Sequence, residues 1–465
     1  MTLRRWAAVT LAAIGCANAP AAPPRDSYDL RAAQRPYNVV VISMDAVRYD
    51  RTGLGPERHP WTPNLQRLAA ESVVFHNASS AAPWTVPSHL AIWTGRWPSH
   101  HGVVNKLRED PSTRALVDAA LPASVETFPE LLVREGFVCA AFTGGAGVSA
   151  RFGYGRGFHT YLDDRRFAGM DYSLPPAIAW LRAHASERFF LFLHGYDAHG
   201  QHPLDDVDPR AVAPDYRGPL DGSVAEQARY REQMLAAIEA PGDAASLRGA
   251  LTADDGRFLR TVYDRKIEAA DRRVGRFLDA LRELGLLDRT LVVLLSDHGE
   301  EFLEHGALDH GHTLHEEQLH VPLLMRFPRA AGRRDVQAPV RTIDVFPTVF
   351  DALGLRGPAS VDGQSLMPLV RGQPLDLNLY AETDYRLFVH HRMVRHGRWK
   401  LVLDLSDGQM QLFDLEADPG ELRDRAVDAP DALRPLQADL SRWMSTLATT
   451  PAAYRGRRDT PITVY

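Results

Sequence analysis

The chain has 465 residues, 45% of them apolar and 24% charged, so it can bury a sizeable core. That length suits one large domain with an appendage, or two to three smaller domains. The formal net charge of −6 argues against a nucleic-acid-binding protein, and the two cysteines exclude a disulfide framework.

The amino terminus has the pattern of an export signal. Arg4 and Arg5 precede an apolar run, 6–14, that is too short to span a bilayer as a mature helix. Small residues then lead into Cys16, as in a bacterial lipoprotein cleavage box, which predicts a signal peptide over 1–16 and a lipid anchor on Cys16. Simple secretion with cleavage near Ala19 is the alternative. Either route takes the protein out of the cytoplasm: as a lipoprotein to the bacterial cell envelope, at the periplasmic face or the outer membrane, and otherwise to secretion. We expect membrane contact only through the anchor.

Residues 17–36 are rich in Ala and Pro, which predicts a tether. From residue 37 to 373 apolar strands alternate with helical segments, a pattern typical of a largely parallel sheet. The predicted strands cover 38–44, 137–142, 189–193, 291–295 and 321–327. Two predicted helices begin at Pro63, with Thr62 as N-cap, and near Pro87. Two others cover 258–287 and 343–353, and Pro347 is expected to interrupt the second of these. We expect 200–256 to be an irregular insertion over the functional face, and Cys139 to be a buried apolar side chain.

The character of the chain changes after residue 374. The segments 392–403 and 411–415 predict an antiparallel hairpin or meander, and Leu433, Leu436, Leu440 and Trp443 have helical spacing. The predicted fold is therefore α/β, with a largely parallel central sheet flanked by helices over 37–373. A small antiparallel β plus helix subdomain is expected over 374–465.

Candidate functional residues follow the predicted strands. Asp297 and His298 come directly after strand 291–295, Asp45 ends strand 38–44, and Thr85 lies at the front of the helix near Pro87. The carboxyl edge of a parallel sheet is where α/β folds collect ligands. Carboxylates, an imidazole and a hydroxyl together are suited to a divalent metal beside a nucleophile. We therefore predict a metal-activated hydroxyl at this edge.

A series of motifs over 37–425 resembles the sulfatase family, part of the alkaline phosphatase superfamily. In chain order these motifs are NVVVISMDAVRYD (38–50), TVPSH (85–89) with TG (94–95), SDHGE (296–300), HGH (310–312), HVPL (320–323), DVFPT (344–348), GQSL (363–366), WKL (399–401) and LFDLEADPGE (412–421). The resemblance implies an alkaline-phosphatase-like fold and the hydrolysis of sulfate esters.

Two departures from the family pattern bear on the chemistry. Sulfatases carry Cys-x-Pro-Ser-Arg, with the cysteine oxidised to formylglycine, whereas this chain has Thr85 and His89 at the first and last positions. Threonine cannot become formylglycine. Sulfatases also have a second early aspartate and an asparagine after the later one, where this chain has Ala46 and His298. The resulting set suits Zn or Mn better than Ca and resembles one site of alkaline phosphatases and of phosphoglycerol transferases with Thr nucleophiles.

These resemblances assign roles to particular residues. The metal is assigned to Asp45, Thr85, Asp297 and His298, the catalytic roles to Thr85, His199 and His312, and substrate binding to His89 and His310. The acidic run of Glu300, Glu301 and Glu304 is expected to be a solvated face.

The predicted activity is the hydrolysis of sulfate or phosphate esters in a small molecule, a glycan or a lipid. A sulfated threonine lacks the hemiacetal route by which formylglycine expels sulfate, so the mechanism favours phosphate esters, while the family favours sulfate esters. A phosphoglycerol-type transferase acting on envelope polymers or lipids is the alternative. A non-catalytic binder of anionic glycans is the third hypothesis, which the presence of a nucleophile disfavours.

Overall fold

A computed structural model of the protein describes Tyr28, Leu30 and residues 37–447, apart from 57–58, 111, 114, 206, 240–250, 329, 331 and 359. The predicted signal peptide, Cys16 and nearly all of the tether lie outside the described residues. In the part of the chain that is described, no helix is long and apolar enough to cross a membrane.

Short apolar runs bounded by turns form the strands. In chain order these are β1 (Asn38–Met44), β2 (Val73–Ser79), β3 (Leu107–Glu109), β4 (Leu116–Asp118), β5 (Val138–Phe142), β6 (Thr160–Leu162), β7 (Phe189–Gly195), β8 (Thr290–Leu295), β9 (Glu301–Phe302), β10 (Leu308–Asp309), β11 (His320–Arg326), β12 (Arg334–Val336), β13 (Val340–Arg341), β14 (Leu379–Thr383), β15 (His391–His396), β16 (Trp399–Asp404) and β17 (Met410–Asp414).

The helices connect and cover these strands. They are α1 (Pro63–Ala69), α2 (Thr85–Thr94), α3 (Pro98–His101), α4 (Phe128–Arg134), α5 (Met170–Ala183), α6 (Val224–Glu239), α7 (Ala253–Glu283), α8 (Glu316–Leu319), α9 (Val345–Leu353), α10 (Met367–Val370) and α11 (Pro430–Met444).

Within the described residues a nine-stranded sheet forms the centre of the protein, in the order β12-β2-β11-β8-β1-β7-β5-β6 with β13 also paired to β2. β1 lies between β7 and β8 and is parallel to both, whereas β11 is antiparallel to β8 and β2. The predicted α/β fold with a largely parallel sheet is confirmed. Because β1 and β8 are adjacent and parallel, the residues that follow them emerge side by side.

The central strands are buried on both faces, since helices pack on each side of the sheet. Val39 and Val41 face a core shared with α2, α4 and α9, while Val40 and Ile42 face a second core shared with α1, α5 and α7. This alternation follows from the two-residue period of a strand. Cys139 on β5 is fully buried, as expected, and burial raises the pKa of its thiol to about 12.

Residues 379–414 form the antiparallel sheet of the C-terminal subdomain, in the order β14-β15-β16-β17. α11 packs on it through Leu436, Leu440 and Trp443, the residues whose spacing predicted a helix. The same cluster includes Ala91 of α2, so the subdomain packs against the helix that carries Thr85.

Two local predictions were wrong, and a third, Thr62 at the N-cap of a helix that begins at Pro63, was correct in position but not in the capping contact. The region 200–256 is not irregular throughout, because it contains the 16-residue α6. Pro347 does not interrupt α9, since it falls in the first helical turn, where a missing N–H costs no hydrogen bond. Thr62 precedes α1 but does not cap it with its side chain, because its hydroxyl donates to the carbonyl oxygen of Thr52 instead.

Candidate active site

Asp45 and Asp297 extend from two neighbouring parallel strands at the same edge of the sheet. In the register of β1 and β8, Ser43 is opposite Leu295, so each aspartate lies two residues beyond a paired position. Both aspartates and His298 are fully buried. The backbone N–H of Ala46 donates to Oδ1 of Asp297 over 3.3 Å, which holds the two strand ends together.

Thr85 is the first residue of α2, and its side chain faces this edge. The helix begins there, with Trp84 as the extended N-cap, two residues earlier than the sequence predicted. The hydroxyl oxygen of Thr85 lies 3.3 Å from Nε2 of His298. Gly147 allows the close approach of a neighbouring loop, since a Cβ at that position would lie 2.9 Å from both Cβ and Cγ2 of Thr85.

The protonation of His298 follows from its contacts. Its Nδ1 lies 2.8 Å from the carbonyl oxygen of Gly299, which can only accept, so Nδ1 carries the ring proton. Burial lowers the pKa of His298, and the neutral ring therefore presents the lone pair of Nε2. That nitrogen lies 3.3 Å from Oδ2 of Asp297 and 3.7 Å from Oδ1 of Asp45.

The donor atoms of this group fit a divalent cation. Oδ1 of Asp45 and Oδ2 of Asp297 are buried and make no hydrogen bond with any part of the chain that is described. Two such oxygens, an imidazole nitrogen and a hydroxyl converge within a few ångströms, and the set Asp45, Asp297 and His298 has the geometry of a metal site. Two carboxylates buried this close together are costly unless a positive charge lies between them.

The two carboxylates affect each other. Burial, followed by the charge of Asp297, raises the pKa of Asp45 to about 8. Burial alone would also raise the pKa of Asp297, but His298 and His89 hold it below its usual range.

Each aspartate has a second histidine behind it. His194 places Nε2 3.1 Å from Oδ2 of Asp45, and burial lowers the pKa of this histidine to about 3. His89 places Nδ1 3.1 Å from Oδ2 of Asp297 and makes a 2.9 Å hydrogen bond through Nε2 with the Ser43 hydroxyl. Such contacts orient metal-binding side chains. His89, expected to bind substrate, is 1% exposed and does not line the cleft described below.

His310 and His199 lie next to His298 above the sheet edge. The ring of His310 is 4.2 Å from that of His298 and 4.8 Å from that of His199. Burial alone would lower the pKa of His310, but Asp309 and Glu300, 2.8 and 3.0 Å from its Nδ1, raise it well above the usual value. His310 is therefore an imidazolium, and Nε2 is the nitrogen left for a bound anion. Burial, followed by the charge of His310, keeps the pKa of His199 low and its ring neutral.

The prediction that Glu300, Glu301 and Glu304 form a solvated acidic face was wrong. Glu300 and Glu301 are 2% and 0% exposed, and Glu304 forms a 2.6 Å ion pair with Arg48. Glu300 and Glu301 are buried, and Glu304 is partly buried, because a cationic or hydrogen-bonding group faces each carboxylate. For Glu301 that group is His312, whose Nε2 lies 3.1 Å from Oε2. His312 was expected to be catalytic, but it is 2% exposed and does not line the cleft over Thr85.

A cleft of about 50 Å³ opens above Thr85. Cationic or hydrogen-bonding side chains from separate segments line it: Asn105, Lys106, His199, Gln201, Arg231, His310 and Arg386, with Trp84, Gly147, Phe167, Asp309 and Tyr385 completing the wall. Burial, followed by the charges of Arg386 and Arg231, lowers the pKa of Lys106 to about 8. Arg231 is partly neutralised by Asp309, 3.2 Å away. The cleft is thus suited to an anionic group placed over the Thr85 hydroxyl.

Sequence reasoning missed several of these residues. Lys106, Arg231 and Arg386 belong to three distant segments without diagnostic spacing, and His194 lies inside an apolar strand. Two weak features of the sequence could have indicated these residues. Asn105 and Lys106 follow the TVPSH motif, and His194 lies next to the end of an apolar strand, at the same edge of the sheet.

The sequence matches known families over nearly its whole described length. The Sulfatase family model matches residues 37–355, and the model described as N-sulphoglucosamine sulphohydrolase, C-terminal, matches 303–449. Arylsulfatase K of Rattus norvegicus is 27% identical over 484 residues, covering 94% of this chain and 83% of the relative. Arylsulfatase K of Homo sapiens is 32% identical over 196 residues, covering 39% of this chain and 36% of the relative.

Solved structures share the fold. A protein in complex with its substrate D-glucosamine-2-N,6-O-disulfate superposes with a TM-score of 0.70 at 20% identity, covering 91% of this chain and all of that one. The phosphonate monoester hydrolase of Agrobacterium radiobacter superposes with a TM-score of 0.67 at 21% identity, covering 88% and 95%.

The match of the Sulfatase model covers more than half of the chain and includes Asp45, Thr85, Asp297 and His298. This chain therefore belongs to the sulfatase family of hydrolases.

Proposed function

We propose that the protein is a metal-dependent hydrolase of sulfate or phosphate esters that uses the hydroxyl of Thr85 as its nucleophile. The observation that carries the proposal is the position of this hydroxyl. It is 3.3 Å from His298 Nε2, beside the buried carboxylates of Asp45 and Asp297, and at the floor of a cleft lined by Lys106, Arg231, Arg386 and the His310 imidazolium.

Asp45, Asp297, His298 and Thr85 would hold the cation. Zn or Mn suits a set with an imidazole and few carboxylates better than Ca. A divalent ion bound there supplies positive charge that favours the alkoxide form of the Thr85 hydroxyl. The N-terminus of α2 adds a smaller contribution of the same sign, since Thr85 is its first residue.

The residues of the cleft bind and orient the ester. Lys106 and the Nε2–H of His310 meet the non-bridging oxygens, where negative charge is concentrated. Thr85 Oγ1 bonds to the central sulfur or phosphorus atom while the bond to the alcohol oxygen breaks. The hydroxyl proton passes through water in the cleft to the leaving alcohol oxygen. The neutral His199 can donate a hydrogen bond from Nε2 to that oxygen, because its Nδ1 accepts from the backbone N–H of Gln201. Water then attacks the same central atom and the bond to Thr85 Oγ1 breaks; one proton of this water returns to Thr85 and the other leaves to solvent as the inorganic anion is released.

Two observations point to different central atoms. The arylsulfatase K relatives and the disulfated glucosamine bound by one structural neighbour support a sulfated sugar or aryl sulfate as substrate. The threonine supports a phosphorus ester, because a threonine sulfate has no hemiacetal route for expelling sulfate, whereas a phosphothreonine can be attacked at phosphorus. The phosphonate monoester hydrolases among the structural neighbours are compatible with the second choice.

A panel assay tests the proposal. The full chain, loaded in turn with Mn²⁺, Zn²⁺ and Ca²⁺, is given p-nitrophenyl sulfate, phosphate, phenylphosphonate and bis(p-nitrophenyl) phosphate. We expect turnover of at least one ester, with a preference for Mn²⁺ or Zn²⁺, and its loss in Thr85→Ala. Turnover that survives in Thr85→Ala would rule out the nucleophile.

Adding glycerol to the same assay examines the transferase alternative. Hydrolysis predicts that most of the phosphoryl group reaches water. Glyceryl ester as the main product would instead identify a transferase. Binding of a sulfated glycan without turnover of any ester would identify a non-catalytic binder.

We also propose that the protein reaches the cell envelope as a lipoprotein anchored through Cys16. The pattern of Arg4, Arg5 and the apolar run supports this. The wild-type protein should fractionate with membranes, and Cys16→Ala should not.

A further inference from the structure

Lys266 of α7 is a buried cation that the proposed mechanism does not use. Its side chain is 4% exposed and does not line the cleft over Thr85. Among the described residues its ammonium has no ion-pair partner, and its only hydrogen bond runs over 3.1 Å from Nζ to the backbone carbonyl oxygen of His199. Burial lowers the pKa of Lys266 to about 8, although the charge of Glu300 opposes that shift, so the group is mainly a cation at neutral pH.

This arrangement is costly for a contact that only stabilises the fold. Lysine is rarely fully buried without a paired charge, and an apolar side chain of similar size would avoid the cost of desolvation. The carbonyl oxygen of His199 does not require the lysine, because it already accepts a 3.0 Å hydrogen bond from the backbone N–H of His202. Lys266 therefore adds a second donor to a turn that is closed without it. The second donor restricts the movement of the residue that carries the carbonyl.

One face of α7 contacts the residues that follow two central strands. Tyr263, Lys266 and Arg273 share this face, since they are three and seven residues apart on the helix. The Tyr263 hydroxyl donates over 2.6 Å to the carbonyl oxygen of Ala46, after β1, and Arg273 pairs with the carboxylate of Asp197, after β7. Lys266 reaches the same loop two residues further on. A single buried helix thus fixes the two loops relative to each other.

Resting on the proposed function, we infer that Lys266 is a positioning residue that holds His199 with its Nε2–H directed at the leaving oxygen of the ester. The ring of His199 takes its direction from its own turn, because Nδ1 accepts a 3.0 Å hydrogen bond from the backbone N–H of Gln201. The rings of Phe167 and Tyr196 contact it with centroids 5.3 Å away. A shift of the carbonyl that Lys266 holds would move this turn, and Nε2 with it. Lys266 therefore acts through His199 and does not touch the ester.

The leaving group distinguishes positioning from a loss of stability. The full-length protein and its Lys266→Met variant are given the p-nitrophenyl and phenyl esters of the acid that the panel assay identifies. p-Nitrophenoxide is a weak base that departs with little help, whereas phenoxide gains more from a hydrogen bond to its oxygen. In Lys266→Met we expect kcat/KM to fall by about tenfold for the phenyl ester and by less than about twofold for the p-nitrophenyl ester. Both values come from one preparation, so their ratio does not depend on the fraction of folded protein.

Two further variants serve as comparisons. His199→Ala should show the same preference for the p-nitrophenyl ester, and adding Lys266→Met to it should change the ratio by less than about twofold. Lys400→Met is the matched control, because Lys400 is also buried, but its ammonium contacts Glu316 and Glu421, which do not line the cleft. Its ratio should equal that of the wild type. Equal losses for both esters in Lys266→Met, or no loss, would overturn the positioning role. If Lys266→Met does not fold, Lys266→Gln should show the same change of ratio.

A second measurement does not need turnover. Nuclear magnetic resonance of the protein with isotope-labelled histidine reports the tautomer of each ring, and comparison with His199→Ala assigns the signals of His199. We expect the Nε2–H tautomer in the wild type, shifted or broadened signals in Lys266→Met, and unchanged signals in Lys400→Met. Unchanged His199 signals in Lys266→Met would overturn the inference. Absence of turnover in the wild type would instead overturn the proposed function, while these signals would still decide whether Lys266 holds the ring.

Discussion

The hydroxyl oxygen of Thr85 lies 3.3 Å from Nε2 of His298, although 213 positions separate the two residues. The contact joins the first turn of a helix to the loop after a central strand. The two atoms can form a hydrogen bond, because Nε2 carries a lone pair and the hydroxyl carries a proton. In the proposed mechanism, the reactivity of Thr85 would therefore depend on His298, the histidine that would also bind the cation.

Replacing Thr85 by Val should lower kcat by about 10³-fold or more, because the nucleophile is removed while a similar shape is kept. Thr85→Ser keeps a hydroxyl and should retain measurable turnover. Steady-state kinetics on the best ester of the panel measures both. Thr94→Val is the control at the other end of α2, since it is also buried and its hydroxyl contacts only the carbonyl oxygen of Leu90. A large loss in Thr94→Val would show that the effect reports damage to the helix.

Replacing His298 by Asn should change the preferred metal. The substitution places at this position the asparagine that sulfatases carry and leaves only oxygen donors in the set, although Ala46 remains, and oxygen ligands favour Ca²⁺ over Zn²⁺ or Mn²⁺. Isothermal titration of the metal-free protein should show weaker Mn²⁺ binding and stronger Ca²⁺ binding, so that their ratio changes by about tenfold or more. The same titration on His76→Asn, a partly exposed histidine paired with Asp335, serves as the control. An unchanged ratio in His298→Asn would remove His298 from the metal-binding set.

The charge of Lys106 should limit activity at high pH. Its pKa is lowered to about 8, so the side chain is a cation below that value and loses its charge as the pH rises through it. For an anionic ester, kcat/KM should then fall by about tenfold per pH unit above 8. Lys106→Arg should remove this decline because a guanidinium stays charged. A decline of the same steepness in Lys106→Arg would assign it to another group.

Replacing Gly147 by Ala should displace Thr85. The new Cβ would lie 2.9 Å from two carbon atoms of Thr85, closer than ordinary contact, and a shift of this kind costs about 10²-fold in rate when a reacting group moves by 1 Å. The overpacking should also cost about 1–3 kcal/mol of stability, measured by denaturant unfolding. Gly357→Ala is the matched control, because among the described residues no atom outside its chain neighbours lies within 4 Å of a Cβ there. Full activity in Gly147→Ala would mean that the loop containing Gly147 moves and that Thr85 keeps its position.

The parts of the fold that were predicted correctly are those in which local pattern and burial agree. The apolar runs that form β1 and β8 are short and end in polar residues, so Asp45 and Asp297 could be assigned to the carboxyl edge. Their adjacency then follows from parallel pairing. The hairpin of the C-terminal subdomain could be predicted from the sequence equally well, because tight turns at Gly397 and Gly408 separate its strands.

The parts that failed depend on partners far along the chain. Glu300 and Glu301 have the composition of a solvated face, but their burial is tolerable because His310 and His312 contact them and Glu301 also accepts hydrogen bonds from backbone N–H groups, which their positions in the sequence do not reveal. Lys106 and Arg386 meet at the cleft through packing between segments that sequence spacing does not relate. The predicted roles of His199, His310 and His312 stay predictions, although only the first two lie at the cleft.

Every residue of α2 from Thr85 to Thr94 is buried, so the proposed nucleophile lies on a helix that is packed along its whole length. Lys106, Arg231 and Arg386, which line the cleft, come from other segments of the chain. In the proposed mechanism, reactivity and substrate recognition would thus depend on separate segments. Substitutions at the three cationic residues would then change substrate preference without disturbing the helix of the nucleophile, which makes them the positions that an engineer would vary first.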